Sequence, residues 1–232
     1  MSTRTVRLKI LRQDGPAKPQ TKRWEEFEVP WKPQMNVISA LMEVQKNPVT
    51  VDGKSVAPVV WESSCLEEVC GACTMVVNGK VRQGCTALVD QLPQPIKLEP
   101  MTKFPVVRDL KVDRNRLFED FKRVHAWVDI DGTHDLGPGP RYSAEVADVR
   151  YAMSRCMACG CCLEACPNYG PQSPFIGAAP INQARLFNMH PSGSMHAEER
   201  LEALTDEGGV ADCGQAQNCV QACPRGIPLT TS

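Results

Sequence analysis

Twelve cysteines in 232 residues are the part of this sequence best equipped for chemistry. They form three groups: Cys65, Cys70, Cys73 and Cys85; then Cys156, Cys159, Cys161, Cys162 and Cys166; then Cys213, Cys219 and Cys223. The polar start Met1-Ser-Thr-Arg-Thr5 does not read as a secretory signal. The thiols are therefore expected to stay reduced, and metal ligation is favoured over disulfides. No other constellation competes as a reaction centre. His125, His134, His190 and His196 are few and scattered along the chain, and neither a GxGxxG fingerprint nor a GxxxxGK[ST] loop occurs.

The spacings narrow the metal. Cys65-x4-Cys70-x2-Cys73, followed by Cys85, is the plant-type ferredoxin spacing for a [2Fe–2S] cluster. Such a cluster takes two thiolates on each iron, and the small Gly71 and Ala72 let backbone N–H groups approach the sulfurs. Glu67 and Glu68 in this loop read as a solvated pair. A structural zinc site is the competing reading, but zinc prefers paired C-x2-C elements, and here only Cys70 and Cys73 qualify.

The second group contains Cys156-x2-Cys159-x2-Cys162-x3-Cys166-Pro167, the bacterial ferredoxin run, whose fourth cysteine ligates the other cluster of a two-cluster fold. In the same frame the third group reads Cys213, Ala216, Cys219 and Cys223-Pro224, with one ligand position empty. Exchanging the fourth cysteines gives a [4Fe–4S] site from Cys156, Cys159, Cys162 and Cys223. The remaining set, Cys166, Cys213 and Cys219, suits a [3Fe–4S] cluster, which lacks the iron at the alanine corner. Cys161 is left over. It breaks the x2 register that Cys162 keeps, and reads as a packed thiol beside the four-iron site. Three clusters in one chain make an electron wire that binds no nucleotide and carries no catalytic residue of its own.

These ligands need elements to hold them. Arg4–Leu11 and Trp24–Val29 alternate as two strands of a hairpin around a loop with Pro16 and Pro19. Asn36 can cap a helix with Val37, Ile38, Leu41, Met42 and Val44 on one face. Asn78-Gly79 is a two-residue hairpin turn that returns the chain to Cys85. Strand signals follow at Ile96–Leu98 and Val106–Val107. Asp113–Trp127 has helical spacing, with Asp113 as cap, and leads into the turn-rich Asp131–Pro140. Helices are then expected over Ser143–Ser154, Pro180–Met189 and His196–Asp206, the last stopped by Gly208-Gly209. The only internal repeat relates the two C-terminal cysteine groups.

Composition excludes other classes. With 26 basic and 27 acidic residues there is no basic face for nucleic acid. The longest apolar stretch, Val56–Trp61, is far short of a membrane span. The reading is a cytoplasmic-type chain.

Taken together, the two cysteine domains resemble the iron–sulfur subunit of succinate:quinone oxidoreductase or fumarate reductase. The resemblance extends to Asn36-Val-Ile-Ser-Ala-Leu41, Arg82-Gln-Gly-Cys-Thr86, Phe104–Leu110, Phe175-Ile-Gly177, Ala184-Arg-Leu-Phe187 and Gly226-Ile-Pro228. Cys65–Cys70 and Asp212–Cys219 are most similar to the Gram-positive menaquinone form. The resemblance implies an FAD-containing flavoprotein that oxidises succinate and feeds the [2Fe–2S] domain. It also implies a haem b membrane anchor that receives electrons for menaquinone or another quinone from the [3Fe–4S] end, and attachment through that anchor to the cytoplasmic side of the membrane. The reverse direction, fumarate reduction, and a soluble fumarate reductase remain open alternatives. One departure stands out: where many relatives carry quinone contacts, this chain has Asn168, Tyr169, Gly170, Pro171 and Gly214.

The expected fold class is α+β. It comprises an N-terminal β-grasp plant-type [2Fe–2S] ferredoxin domain over residues 1–105, a crossover over 106–140, and a C-terminal α-helical bacterial-type ferredoxin domain over 141–232.

Overall fold

Alternation of apolar and polar residues shapes the first sheet in the computed structural model, which describes residues 4–129, 139 and 141–231. Strand β1 (Thr5–Arg12) turns Val6, Leu8 and Ile10 into the core and pairs antiparallel, in unbroken register, with β2 (Arg23–Pro30). Helix α1 (Val37–Lys46) starts where Asn36 and Ser39 form a reciprocal cap: Ser39 N donates to Asn36 Oδ1 at 2.8 Å, and Asn36 N to Ser39 Oγ at 2.9 Å. The helix buries Val37, Ile38, Ala40, Leu41 and Val44. Met42, expected on that face, lies exposed, and Ala40 takes its place.

Strands β3 (Thr74–Val77) and β4 (Lys80–Gln83) form the expected hairpin, with Asn78 and Gly79 both at positive φ. Strand β5 (Ile96–Glu99) lies parallel to β1 and antiparallel to β3. The five-stranded sheet therefore runs β2-β1-β5-β3-β4, a mixed sheet with α1 in the same apolar core. A small hairpin, β6 (Val106–Arg108) with β7 (Lys111–Val112), follows.

The chain divides into two compact units, Met1–Asp113 and Arg114–Ser232. The division falls later than the expected residue 105, and the expected crossover over 106–140 is split between the units. The reason is Asp109, fully buried between the strands of the small hairpin. It accepts from Arg12 Nε at 2.8 Å, Arg12 Nη2 at 3.1 Å and the Val60 amide at 2.9 Å. Arg12 also reaches Glu25 at 2.6 Å. This buried ion network fastens residues 106–113 to β1, and to the segment that leads into the first cysteine loop.

The second unit is helical: α2 (Asn115–Arg123), α3 (Ala144–Ser154), α4 (Cys161–Glu164), α5 (Ala178–Asn188), α6 (Ala197–Thr205) and α7 (Asn218–Ala222). Helix α2 begins two residues after the expected cap, with Arg114 rather than Asp113 at the cap position. Ser143 caps α3 by accepting from the Val146 amide at 3.4 Å. Gly208, at φ +81°, follows α6 with no room for a side chain, since a Cβ there would lie 2.1 Å from Pro174 O. The expected loop Asp131–Pro140, apart from Gly139, and His134 within it lie outside the described residues. Among the described residues no helix is long and apolar enough to cross a membrane.

Candidate iron–sulfur sites

The first site is a loop wrapped around sulfur. Leu66, Glu68 and Gly71 take left-handed φ, turning successive amides inward as in an anion-binding nest. Cys65 Sγ accepts from Glu67 N at 3.4 Å, Val69 N at 3.3 Å and Cys70 N at 3.3 Å, and Cys70 Sγ accepts from Ala72 N at 3.4 Å. The amides of Glu67, Val69 and Cys70, in that order, lower the Cys65 thiol to about 7. Cys70 acts on the Cys65 thiol and Cys73 on the Cys85 thiol, the same two pairs that each iron of a two-iron cluster would take. Burial first, and the Cys73 contact second, push Cys85 up to about 12. Two pairs of sulfurs, with amides aimed at the exposed pair, match what a two-iron cluster demands of its ligands.

Glu67 is exposed, as read from the sequence, but Glu68 is half-buried and accepts from Thr86 Oγ1 at 2.8 Å, tying the loop to the residue after Cys85. Gln83 supports the buried end, where its Oε1 lies 3.7 Å from Cys73 Sγ and accepts from Thr74 Oγ1 at 3.0 Å.

In the second unit the internal repeat is visible in the backbone. Cys156, Ala158, Cys159, Gly160 and α4 are matched in order by Cys213, Gln215, Ala216, Gln217 and α7. Ala158 and Gln215 both stand at φ +50°, and Gly160 and Gln217 are both left-handed. Helices α4 and α7 pack together. Asn168 Nδ2 donates to Asp212 O at 2.9 Å and Asn218 Nδ2 to Ala165 O at 3.1 Å, which joins the two cysteine loops side by side. Ala216 thus occupies in one loop the place that Cys159 occupies in the other.

The thiols divide between two cavities. Cys156, Cys159, Cys162 and Cys223 line one, with Ala179, Ile227 and Leu229 as apolar wall. Cys166, Cys213 and Cys219 line the other, a space of about 370 Å³, with Ala216 on its wall. Each loop lends its last cysteine to the other cavity.

Burial raises the Cys156, Cys162 and Cys219 thiols above their ordinary range. A cationic metal beside these three raised thiols favours their thiolate form, and the grouping of four and three thiols fits iron–sulfur clusters. Cys161 is fully buried and lines neither cavity. Its thiol hydrogen-bonds Cys159, and this bond is the main reason Cys159 is lowered to about 7.

The residues that depart from the quinone pattern have structural tasks. Tyr169 is buried with its hydroxyl 3.4 Å from Asp120 Oδ2, Gly170 O accepts from Arg116, and a Cβ on Gly214 would lie 2.8 Å from Asn168 Oδ1. Two of the histidines treated as scattered are not: His125 and His196 stack together beside Asp129 and Glu199. The i, i+4 and i, i+3 spacings of His125/Asp129 and His196/Glu199 were the only local signal of that cluster. His190 instead accepts from the Gly193 amide at 3.3 Å.

Comparison with known proteins agrees with this division. A family described as a 2Fe-2S iron-sulfur cluster binding domain matches residues 7–119, and one described as a 4Fe-4S dicluster domain matches residues 152–227. The chain is 61% identical over 229 residues to the succinate dehydrogenase iron-sulfur subunit of Bacillus subtilis, covering 99% of this chain and 90% of that one. It is 27% identical over 229 residues to the fumarate reductase iron-sulfur subunit of Wolinella succinogenes, covering 97% and 93%. Among solved structures, a chain of the Mycobacterium smegmatis Sdh1 complex in the apo form shares the fold, with TM-score 0.78 at 21% identity, covering 99% of this chain and 92% of that one.

Proposed function

The chain belongs to the family of succinate dehydrogenase iron–sulfur subunits, and from that premise we propose how its cysteines are used. Cys65, Cys70, Cys73 and Cys85 hold a [2Fe–2S] cluster. Cys156, Cys159, Cys162 and Cys223 hold a [4Fe–4S] cluster, and Cys166, Cys213 and Cys219 a [3Fe–4S] cluster, with Cys161 outside all three sets. When bound, these groups carry single electrons between the FAD of a flavoprotein that oxidises succinate and a quinone at the membrane anchor.

The chain's own residues set the conditions for that traffic. The amides of Glu67, Val69 and Cys70 stabilise negative charge on the first site. The walls formed by Ala179, Ile227 and Leu229 keep water from the second. The partners are an FAD flavoprotein, docked on the first unit, and a membrane anchor that carries haem b, docked on the second. Menaquinone is the quinone this reading favours, given the resemblance of Cys65–Cys70 and Asp212–Cys219 to the Gram-positive menaquinone form. Peripheral attachment on the cytoplasmic side through the anchor follows from the same reading.

The observation that carries the ligand assignment is the exchange of Cys166 and Cys223 between two side-by-side loops. It is tested by serine substitution at each, with electron paramagnetic resonance of the purified complex. Cys223→Ser removes the four-iron signal and Cys166→Ser the three-iron signal. The opposite pairing of losses refutes the exchange.

A further inference from the structure

Asp120, on α2, is a buried acid that the ligand sets leave without a task. The groups around it compensate its charge poorly. The Tyr169 hydroxyl donates to Asp120 Oδ2 over a long 3.4 Å. Arg116 Nε stands 3.8 Å from the same oxygen, beyond hydrogen-bond reach. The Arg116 guanidinium is given instead to the carbonyls of Gly170, Ser173 and Phe175, and lies 4.5 Å over the Tyr169 ring. Arg123, on the same helix, adds attraction at longer range. Helix α5 packs on α2, and among the described residues no charged side chain of α5 bonds Asp120.

Tyr169 joins this acid to the proposed four-iron set. Its buried ring packs with Leu163, the residue after Cys162, around Gly177. A Cβ on that glycine would lie 2.1 Å from Leu163 Cδ2 and 3.4 Å from Tyr169 Cδ2. Negative charge on Cys162 acts on the Tyr169 hydroxyl. Burial first, and Asp120 second, hold that hydroxyl protonated. The proton of this pair that can come and go therefore belongs to Asp120.

We infer that Asp120 takes up one proton from solvent when an electron reaches the four-iron site, and releases it when the electron leaves. This rests on the ligand sets proposed above. The step balances in charge: the site gains one electron, one O–H bond forms at the Asp120 carboxylate, and solvent supplies the proton. The side chain is 12% exposed, which gives water a way to deliver it. Burial, against the pull of Arg116, pushes Asp120 up to about 6. Near neutral pH the acid is therefore mostly ionised, yet close to the point at which one more negative charge nearby makes it accept a proton.

The size of the effect follows from Coulomb's law. A unit charge about 10 Å away, at an effective dielectric of about 20, changes the proton affinity of a carboxylate roughly tenfold. The frame that fixes the separation is rigid: Arg116 ties α2 to the loop after Cys166 through three carbonyls, and Asn168 Nδ2 ties that loop to Asp212 O at 2.9 Å. By linkage, the electron affinity of the site changes tenfold between protonated and ionised Asp120, which is about 59 mV for one electron.

The test is potentiometric titration of the purified, cluster-loaded complex at a series of values between about pH 5 and 8, followed by the resonance of the reduced four-iron centre. The native midpoint falls by about 59 mV in total as pH rises between about 6 and 7, and is level on either side. Asp120→Asn keeps the size of the side chain and has no proton to exchange, so its midpoint stays level throughout. Tyr169→Phe removes a donor that favours the carboxylate and moves the fall to higher pH. A role in packing alone leaves the fall in place in both variants. A level native midpoint overturns the inference without any variant, and so does a fall that persists in Asp120→Asn. If Asp120→Asn loses the centre, an unmoved fall in Tyr169→Phe overturns it. The ligand sets fail separately, through the serine variants at Cys166 and Cys223.

Discussion

Replacing Cys161 with alanine deletes the contact of its thiol with Cys159, a ligand in the proposed four-iron set, while leaving that set in place. The Cys161 thiol is fully buried and bonded to Cys159, and that bond is the largest influence holding Cys159 near 7. A donor on a ligating sulfur favours the reduced, more negative state of the centre it serves. One hydrogen bond contributes about 0.5–1.5 kcal/mol net. A thiol is a weak donor, which puts the difference between the two redox states at about 0.5–1 kcal/mol. At about 59 mV per 1.4 kcal/mol for one electron, the four-iron potential falls by ~20–40 mV. The assay is a potentiometric titration of the purified complex, followed by the resonance of the reduced four-iron centre. Cys161→Ser keeps a donor and holds the potential at or above its native value, whereas Cys162→Ser removes the centre. A potential that is unchanged or raised in Cys161→Ala refutes the hydrogen-bond argument. Loss of the four-iron signal in that variant makes Cys161 a ligand and refutes the assignment.

Ala216→Cys places a thiol in the cavity shared by Cys166, Cys213 and Cys219; the oxidised three-iron resonance disappears in favour of a four-iron centre of lower potential, and its persistence at full intensity shows that position 216 does not face the missing corner. Asp109→Ala leaves buried Arg12 with Glu25 as its remaining carboxylate and the Val60 amide without its acceptor, and destabilises the first unit by about 1–3 kcal/mol; no measurable change in denaturant unfolding contradicts the role given to the pair. Burial raises Asp120 to about 6 against the pull of Arg116, so the folded chain holds a proton that the unfolded chain has released between about pH 4 and 6. This group therefore favours folding below pH 4, and about 3 kcal/mol of that is lost as pH rises through 6. Asp120→Asn flattens the slope, as read from the difference between native and variant unfolding free energies across that range, and an unchanged slope rules the linkage out.

Local pattern carried the sheet and most helices, because alternation and caps act over a few residues. β1, β2, the Asn78-Gly79 hairpin, the Asn36 cap and the Ser143 cap were legible for that reason. The cysteine groups were legible because three ligands in one short loop tie spacing directly to geometry. What escaped depends on partners distant in the chain. Asp109 belongs to the first unit through Arg12, far upstream, so the boundary could not be placed from nearby residues. Met42 satisfied the apolar spacing of α1, yet Ala40 is the residue buried in the core. His125 and His196 stand on segments joined by a long stretch of chain, and only folding stacks them.

The swap of Cys166 and Cys223 between neighbouring loops has a consequence for the order in which the protein matures. All four thiols of the first site have left the ribosome once the chain has grown a little past Cys85, so that centre can be loaded on a nascent chain. Neither cavity of the second unit can be completed so early. One waits for Cys213 and Cys219, and the other for Cys223, 138 residues after Cys85, a delay on the order of ten seconds at synthesis rates of about 5–20 residues per second. For the last part of that interval, the 57 residues from Cys166 to Cys223, the five cysteines of the second group wait with at most part of a ligand set. Complete delivery of iron and sulfide to this unit must therefore wait for Cys223 to emerge, and a cell short of assembly machinery will accumulate chains whose first centre is filled and whose last two are empty.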